Sequence, residues 1–228
     1  MKIAILGAMD EEIYLLKQQI SNLSCQIIFN YCIYTGKFNN CDIIMLKTSV
    51  GKVNASIGAT LIQQKFNPNY LINTGVAGAM HNDLKVGDIV IANQLSYHDV
   101  DVTIFDYKFG QIPSMPEFYT PNSQITKNIN TEAYSFNIIH GLITSGDSFI
   151  SNNEQKTFIK NKFTDVCAAD MESCAIAQTC YQLHLPFAII RSISDQANNT
   201  ALESYESFMK IAANNSAQLT LDIIKTLL

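Results

Sequence analysis

The stretch from Asp165 to Asn199, DVCAADMESCAIAQTCYQLHLPFAIIRSISDQANN, restricts the fold more than any other part of the chain. Val166–Asp170 is a short apolar run, and Ser173–His184 is a helix of small and apolar residues. Pro186 breaks that helix ahead of Phe187–Ile193, a second apolar run rich in isoleucine. Strands joined through a helix are expected to be parallel neighbours, so both should end on one edge of the sheet. Met171-Glu172 would then follow the first strand and Ser194-Asp195 the second. Ligands of open α/β sheets bind outside the carboxyl ends of the strands, so two carboxylates should converge where a small molecule sits.

The remaining pattern extends this α/β reading. Lys2–Leu6 is a first buried strand, Gly7-Ala8-Met9 a turn and Asp10–Gln19 a helix. G-x-G-x-x-G is absent, and Asp10, Glu11 and Glu12 stand where a phosphate would meet the helix start. Acids favour that end through the helix dipole alone. Consecutive helical side chains lie about 100° apart, so only one of the three can face the strand ends. Asn30–Thr35 and Asp42–Thr48 pair as strands around the turn Gly36–Cys41, and a helix begins near Lys52. Gly51-Lys52 is not a P-loop, because Val53 follows the lysine. Tyr70–Asn73 is a strand running into the loop TGVAGAM, where Gly75 and Gly78 allow a tight turn and a close backbone approach. Gly87–Asn93 and Asn137–Thr144 are further strands, Asn152–Lys162 is a helix, and Glu203–Leu228 is a long amphipathic helix or a helix pair. The aromatic segment 97–116 is long and irregular, as functional or interface loops are.

Composition excludes several classes. With 228 residues, 47% apolar and 15% charged, the chain suits one covered α/β domain over 1–228. A net charge of −5 without a basic run argues against nucleic-acid or anionic-membrane partners. No segment reaches the roughly 18 to 20 apolar residues of a membrane span, and the apolar run of MKIAILGAMDEE is too short for a signal peptide. Six cysteines without C-x-x-C are expected as buried reduced thiols of a cytoplasmic protein. The four histidines are well separated, so no metal site is expected.

Several blocks taken in order carry a resemblance: GAMDEE at 7–12, SVGKVNA at 49–55, NTGVAGA at 73–79, YHDVDVTIFDYKFGQIP at 97–113, SGDSFI at 145–150, ADMES at 169–173 and RSISDQAN at 191–198. The chain resembles bacterial 5′-methylthioadenosine/S-adenosylhomocysteine nucleosidases of the nucleoside phosphorylase superfamily. The resemblance implies a three-layer αβα sandwich around a twisted mixed sheet, acting as a cytoplasmic homodimer without metal or cofactor. It implies hydrolysis of the N-glycosidic bond of methylthioadenosine, adenosylhomocysteine and 5′-deoxyadenosine. By the same resemblance Asp195 is the general acid to adenine N7, oriented by Ser194, and Glu12 activates water. Glu172 binds the ribose hydroxyls and Met171 packs on the sugar. Phe149 stacks on the base, the backbone of Ile150 reads its edge, and Val76 and Gly78 lie in the glycine-containing block beside it. Arg191 matches a polar residue near the ribose and water, with pairing to a carboxylate as the alternative. Met9, Val50 and Tyr205 line the pocket for the 5′-substituent, and Val102, Phe105 and Pro113 complete it from the partner subunit.

The chemistry suits these residue types. Breaking a glycosidic C–N bond builds positive charge on the sugar and negative charge on the base; carboxylates favour the first and an acid relieves the second. A free aspartate titrates near 3.9, so Asp195 needs an upward shift of about two units, from desolvation beside Phe149 or from the Glu172 charge. Two departures stand out. Family members commonly carry serine where this chain has Val76, and phenylalanine where it has Tyr205; Asp170 replaces a usual glutamate. Two alternatives remain: a phosphate-dependent nucleoside phosphorylase, disfavoured by the acids after the first strand, and a non-catalytic nucleoside-binding protein.

Overall fold

The computed structural model describes residues 1–227. Nine strands form one mixed sheet: β1 (Lys2–Gly7), β2 (Ser21–Ile28), β3 (Tyr31–Phe38), β4 (Cys41–Lys47), β5 (Tyr70–Ala79), β6 (Ile89–Tyr97), β7 (Ile138–Ser145), β8 (Val166–Asp170) and β9 (Phe187–Asp195). The helices are α1 (Asp10–Gln19), α2 (Lys52–Phe66), α3 (Asn153–Lys162), α4 (Ser173–Gln182) and α5 (Ala201–Thr226). The sheet order is β2-β3-β4-β1-β5-β8-β7-β6-β9, and β9 returns to pair with β5.

Alternation along β1 accounts for the layers. Ile3 and Ile5 pack with Ile13 and Leu16 of α1 and with Leu221 and Ile224 of α5. Ala4 and Leu6 face the other way, toward Ala55, Ala59 and Ile62 of α2 and Ile176 of α4. Each fully buried aliphatic side chain contributes roughly 1.5–3 kcal/mol. With helices over both faces, the central strands are buried along most of their length, and their few polar side chains, Asn73, Thr74, Arg191 and Asp195 among them, are buried too. The αβα sandwich with a mixed sheet is therefore as expected.

The sheet corrects the opening expectation. β8 and β9 are not parallel neighbours. β9 runs parallel to β5 over Leu71–Gly78, whereas β8 pairs antiparallel with the end of β5 through Gly78↔Ala169 and Ala79↔Ala168. β1 covers the same side of β5 only at Tyr70–Asn73. Beyond that point β8 enters from the opposite direction, so β1 and β8 meet nearly end to end beside one strand. The carboxylates still converge, but through this head-on meeting rather than through a shared edge.

Four further differences are local. TGVAGAM is not a loop: β5 continues through Ala79, because its backbone is claimed by β9 on one side and β8 on the other. Ser21–Ile28, which lacks an alternating pattern, is an exposed edge strand antiparallel to β3. Register places Cys25 opposite Tyr34 and Ile27 opposite Cys32, so the two cysteines share a face one diagonal step apart. They form a disulfide with Cα atoms 6.0 Å apart, whereas Cys41, Cys167, Cys174 and Cys180 are buried free thiols. The C-terminal segment is one helix of 26 residues; Leu228, assigned to it from sequence, lies outside the described residues. Among the described residues no helix is long and apolar enough to cross a membrane.

Candidate active site

Where β1, β5, β8 and β9 come together, a cleft of about 120 Å³ opens. Glu12, Glu172 and Asp195 reach it from three different elements, and Met9, Val50, Val76, Gly78, Phe149, Ile150, Met171, Ser194 and Tyr205 complete most of its wall. All of these were singled out from sequence. Ala8, Ala77, Ser148 and Ala169 also line it and were not, and so does Asp170, named from sequence only as a replacement for glutamate. Ser148 and Asp170 lie inside the quoted blocks SGDSFI and ADMES, which was the available signal.

Helix geometry decides among the three acids of α1. Asp10 stays outside, paired with Lys47 at 2.6 Å, and Glu11 is half-exposed. Glu12, at the third helical position, folds back over the helix start. Its Oε2 accepts from the Ala8 and Met9 amides at 2.5 and 3.2 Å. Its Oε1 accepts from the Val76 amide at 3.1 Å. Residue 76 thus holds Glu12 through its main chain, whatever its side chain. Burial raises the Glu12 pKa, opposed by Arg191 and these amides.

The glycines of β5 clear room for carboxylates. A Cβ on Gly75 would lie 2.6 Å from Glu12 Oε1, and one on Gly78 would lie 2.9 Å from Asp195 Oδ1. The expected close approach is real, but it occurs within a strand and toward side chains. Asp195 ends β9 and is 1% exposed. Its Oδ2 accepts from Ser194 Oγ at 2.9 Å and its Oδ1 from the Ala197 amide at 2.8 Å. Desolvation raises its pKa, against the pull of those two donors and the Lys156 ammonium. Glu172 precedes α4 and receives the Gly51 amide on Oε1 at 2.8 Å. Burial, then repulsion from Asp170, raises its pKa to about 8.

Arg191 does not line the cleft. Its guanidinium lies behind it, 2% exposed, with Nε donating to Asp170 Oδ2 at 2.7 Å and Nη2 donating to Asn73 Oδ1. Asp170 also accepts from the Ser145 and Ser173 hydroxyls. Of the two readings of Arg191, the geometry shows pairing with a carboxylate. Phe149 packs edge-on against Tyr205 with ring centroids 5.6 Å apart, and the Tyr205 hydroxyl donates to Met9 Sδ at 3.1 Å. Val102, Phe105 and Pro113 stand away from this chain's own cleft, and Phe105 is 69% exposed.

The arrangement offers three buried acids of raised pKa and two aromatic rings in the wall of one cleft. No lysine, arginine or histidine lines it among the described residues. The phosphorylase superfamily model matches residues 2–225. A 5′-methylthioadenosine/S-adenosylhomocysteine nucleosidase of Geobacillus sp. is 43% identical, covering 100% of this chain and 99% of that relative. The Neisseria meningitidis nucleosidase of the same description, solved with methylthio-immucillin-A, superposes with a TM-score of 0.96 at 37% identity, covering 99% of both chains. The Colwellia psychrerythraea enzyme, solved with adenine, does so with a TM-score of 0.96 at 35% identity, covering 100% of this chain and 96% of the other. With sequence and fold matched over nearly their whole length, the chain belongs to the phosphorylase superfamily, within its 5′-methylthioadenosine/S-adenosylhomocysteine nucleosidases.

Proposed function

We propose that this protein hydrolyses the N-glycosidic bond of 5′-methylthioadenosine and S-adenosylhomocysteine, releasing adenine and the 5-thio-substituted ribose. The observation that carries the reading is the convergence of Glu12, Glu172 and Asp195 on one cleft with no cation in its wall. Phosphate as nucleophile would need cationic donors there; water needs only a base.

In this mechanism the C1′–N9 bond breaks and its electron pair passes to the purine. Asp195, whose pKa is raised by burial, delivers a proton to N7, while Ser194 and the Ala197 amide hold the carboxyl in place. Water attacks C1′ and gives a proton to Glu12, whose lone pairs are aimed by three main-chain amides. Glu172 binds the ribose hydroxyls beside Met171, and Phe149 covers the base next to the Ile150 main chain. Met9, Val50 and Tyr205 receive the 5′-substituent, and 5′-deoxyadenosine falls within the same pocket. Arg191 acts from behind as a fixed positive charge that keeps Glu12 ionisable.

Adenine release from methylthioadenosine in phosphate-free buffer tests the reading. Asp195→Asn and Glu12→Gln should each lose about 10²- to 10⁴-fold in kcat. Turnover that appears only with added phosphate would refute hydrolysis.

We further propose a homodimer in which Val102, Phe105 and Pro113 close the partner's cleft. The neighbours Ile104 and Phe105 are 86% and 69% exposed, apolar surface that an interface would cover. Light scattering should give twice the chain mass, and Phe105→Asp should give the monomer with weakened substrate binding.

A further inference from the structure

Three segments distant in sequence meet here: Ser49–Lys52, which carries Val50 of the cleft, Ser145–Ile150, which carries Ser148, Phe149 and Ile150, and Tyr97–Asp99, which does not line it. One side chain joins them. Lys52 Nζ pairs with Asp99 Oδ2 at 2.7 Å and lies 3.9 Å from Asp147 Oδ2. The same Asp99 oxygen accepts from the Asp147 amide at 2.9 Å, and Asp147 Oδ1 accepts from the Lys52 amide at 2.8 Å. The contacts therefore form a closed ring in which each member touches the other two. The Lys52 ammonium also lies 5.3 Å from the Tyr97 ring centroid, and the Lys52 and Asp99 side chains are about one-quarter exposed.

Two corners of the ring adjoin groups of the cleft, and the third, Asp99, leads away from it. Gly51, next to Lys52, gives its amide to Glu172 Oε1 at 2.8 Å. Ser148, Phe149 and Ile150 follow Asp147 directly and line the cleft. Asp99 begins the arm that leads to Val102 and Phe105. We infer that Lys52 is a positioning residue: through Asp99 and Asp147 it fixes the distance between the base-covering segment 148–150 and the amide that aims Glu172. This rests on the nucleosidase reading, in which those two groups grip opposite ends of one nucleoside. A single ion pair that still reaches solvent contributes on the order of 1 kcal/mol to stability, so its loss should leave the fold intact. Catalysis is more sensitive, because misplacement by about 1 Å costs on the order of 10²-fold.

The test compares kcat and KM for methylthioadenosine, together with Tm, in wild type, Lys52→Met, Lys52→Arg and Asp99→Asn. A Lys37→Met control breaks the exposed Lys37–Asp42 pair of the β3–β4 hairpin, 3.0 Å in length. Lys52→Met should lose about 10- to 100-fold in kcat with Tm within a few degrees of wild type. Lys52→Arg should recover most of that loss, and Lys37→Met should match wild type. Lys52→Met with kcat within threefold of wild type would overturn the inference. So would a loss fully explained by the unfolded fraction, or one that arginine leaves unrestored. Should Lys52→Met fail to fold, the isosteric Asp99→Asn decides by the same kcat criterion. A wild-type protein that releases no adenine would refute the nucleosidase reading separately. Lys52 is then judged by calorimetric adenine affinity, with a tenfold weakening in Lys52→Met supporting its role and equal affinity overturning it.

Discussion

Gly75→Ala is the sharpest probe of how β5 shapes the cleft. Gly75 needs no unusual backbone, so alanine carries no conformational penalty there, and any effect must come from the methyl group. That methyl would stand 2.6 Å from Glu12 Oε1, 3.0 Å from its carboxyl carbon and 3.1 Å from Arg191 Nη1. Reaching an ordinary contact of about 3.4 Å requires a displacement of about 0.8 Å. Glu12 cannot rotate away without giving up the Ala8, Met9 or Val76 amide, and Arg191 is tied to Asp170 and Asn73. Overpacking of this kind costs about 1–3 kcal/mol of stability. A misplacement near 1 Å at the base costs on the order of 10²-fold in rate. Steady-state adenine release should therefore show kcat reduced about a hundredfold, with KM much less affected because Glu172 and Phe149 keep their positions. Thermal melts should show a modest fall in Tm. A folded Gly75→Ala protein with kcat within threefold of wild type would refute the placement of Glu12 as the group acting on water.

The other expectations concern the same network. Glu172 has a folded pKa near 8 against 4.5 for the free group, so the folded state holds its proton more tightly. Its contribution to stability is full below pH 4.5 and is lost as pH rises through about 8; Glu172→Gln should flatten that decline in a Tm-versus-pH series. Arg191→Met leaves Asp170 buried without its cation and should cost about 3–5 kcal/mol in urea unfolding, of which Asp170→Asn in the same chain restores a large part. Val76→Ser should change kcat by less than about tenfold, because the main-chain amide of residue 76 already holds Glu12.

The elements were legible because their patterns are local. The apolar run of β1, the Pro186 break and the acids opening α1 each report on a few neighbouring residues, and all three elements form where expected. Tyr70–Ala79 shows where such reading fails. Its glycines suggest a turn, yet two long-range partners hold the segment extended, and the absent Cβ atoms make room for Glu12 and Asp195. The disulfide of Cys25 and Cys32 is hidden for a related reason: it depends on the register between an unpatterned edge strand and β3.

The cleft itself is the strongest case. A βαβ unit was the natural reading of Val166–Asp195, and it led to convergent carboxylates by the wrong topology. What brings Glu12 to face Glu172 is that β1 stops beside Asn73, leaving the next edge of β5 free for β8 to enter antiparallel. Asp195 joins them because β9 follows β5 along its other side to Gly78, the residue that also pairs with Ala169. One residue thus has a neighbour from each carboxylate-bearing strand on either side of it. Lengthening β1 by six paired residues, from Asn73 to Ala79, would bar β8 from β5 and separate Glu12 from Glu172. The site is a property of where strands end, and strand ends are set by competition for the edge of β5.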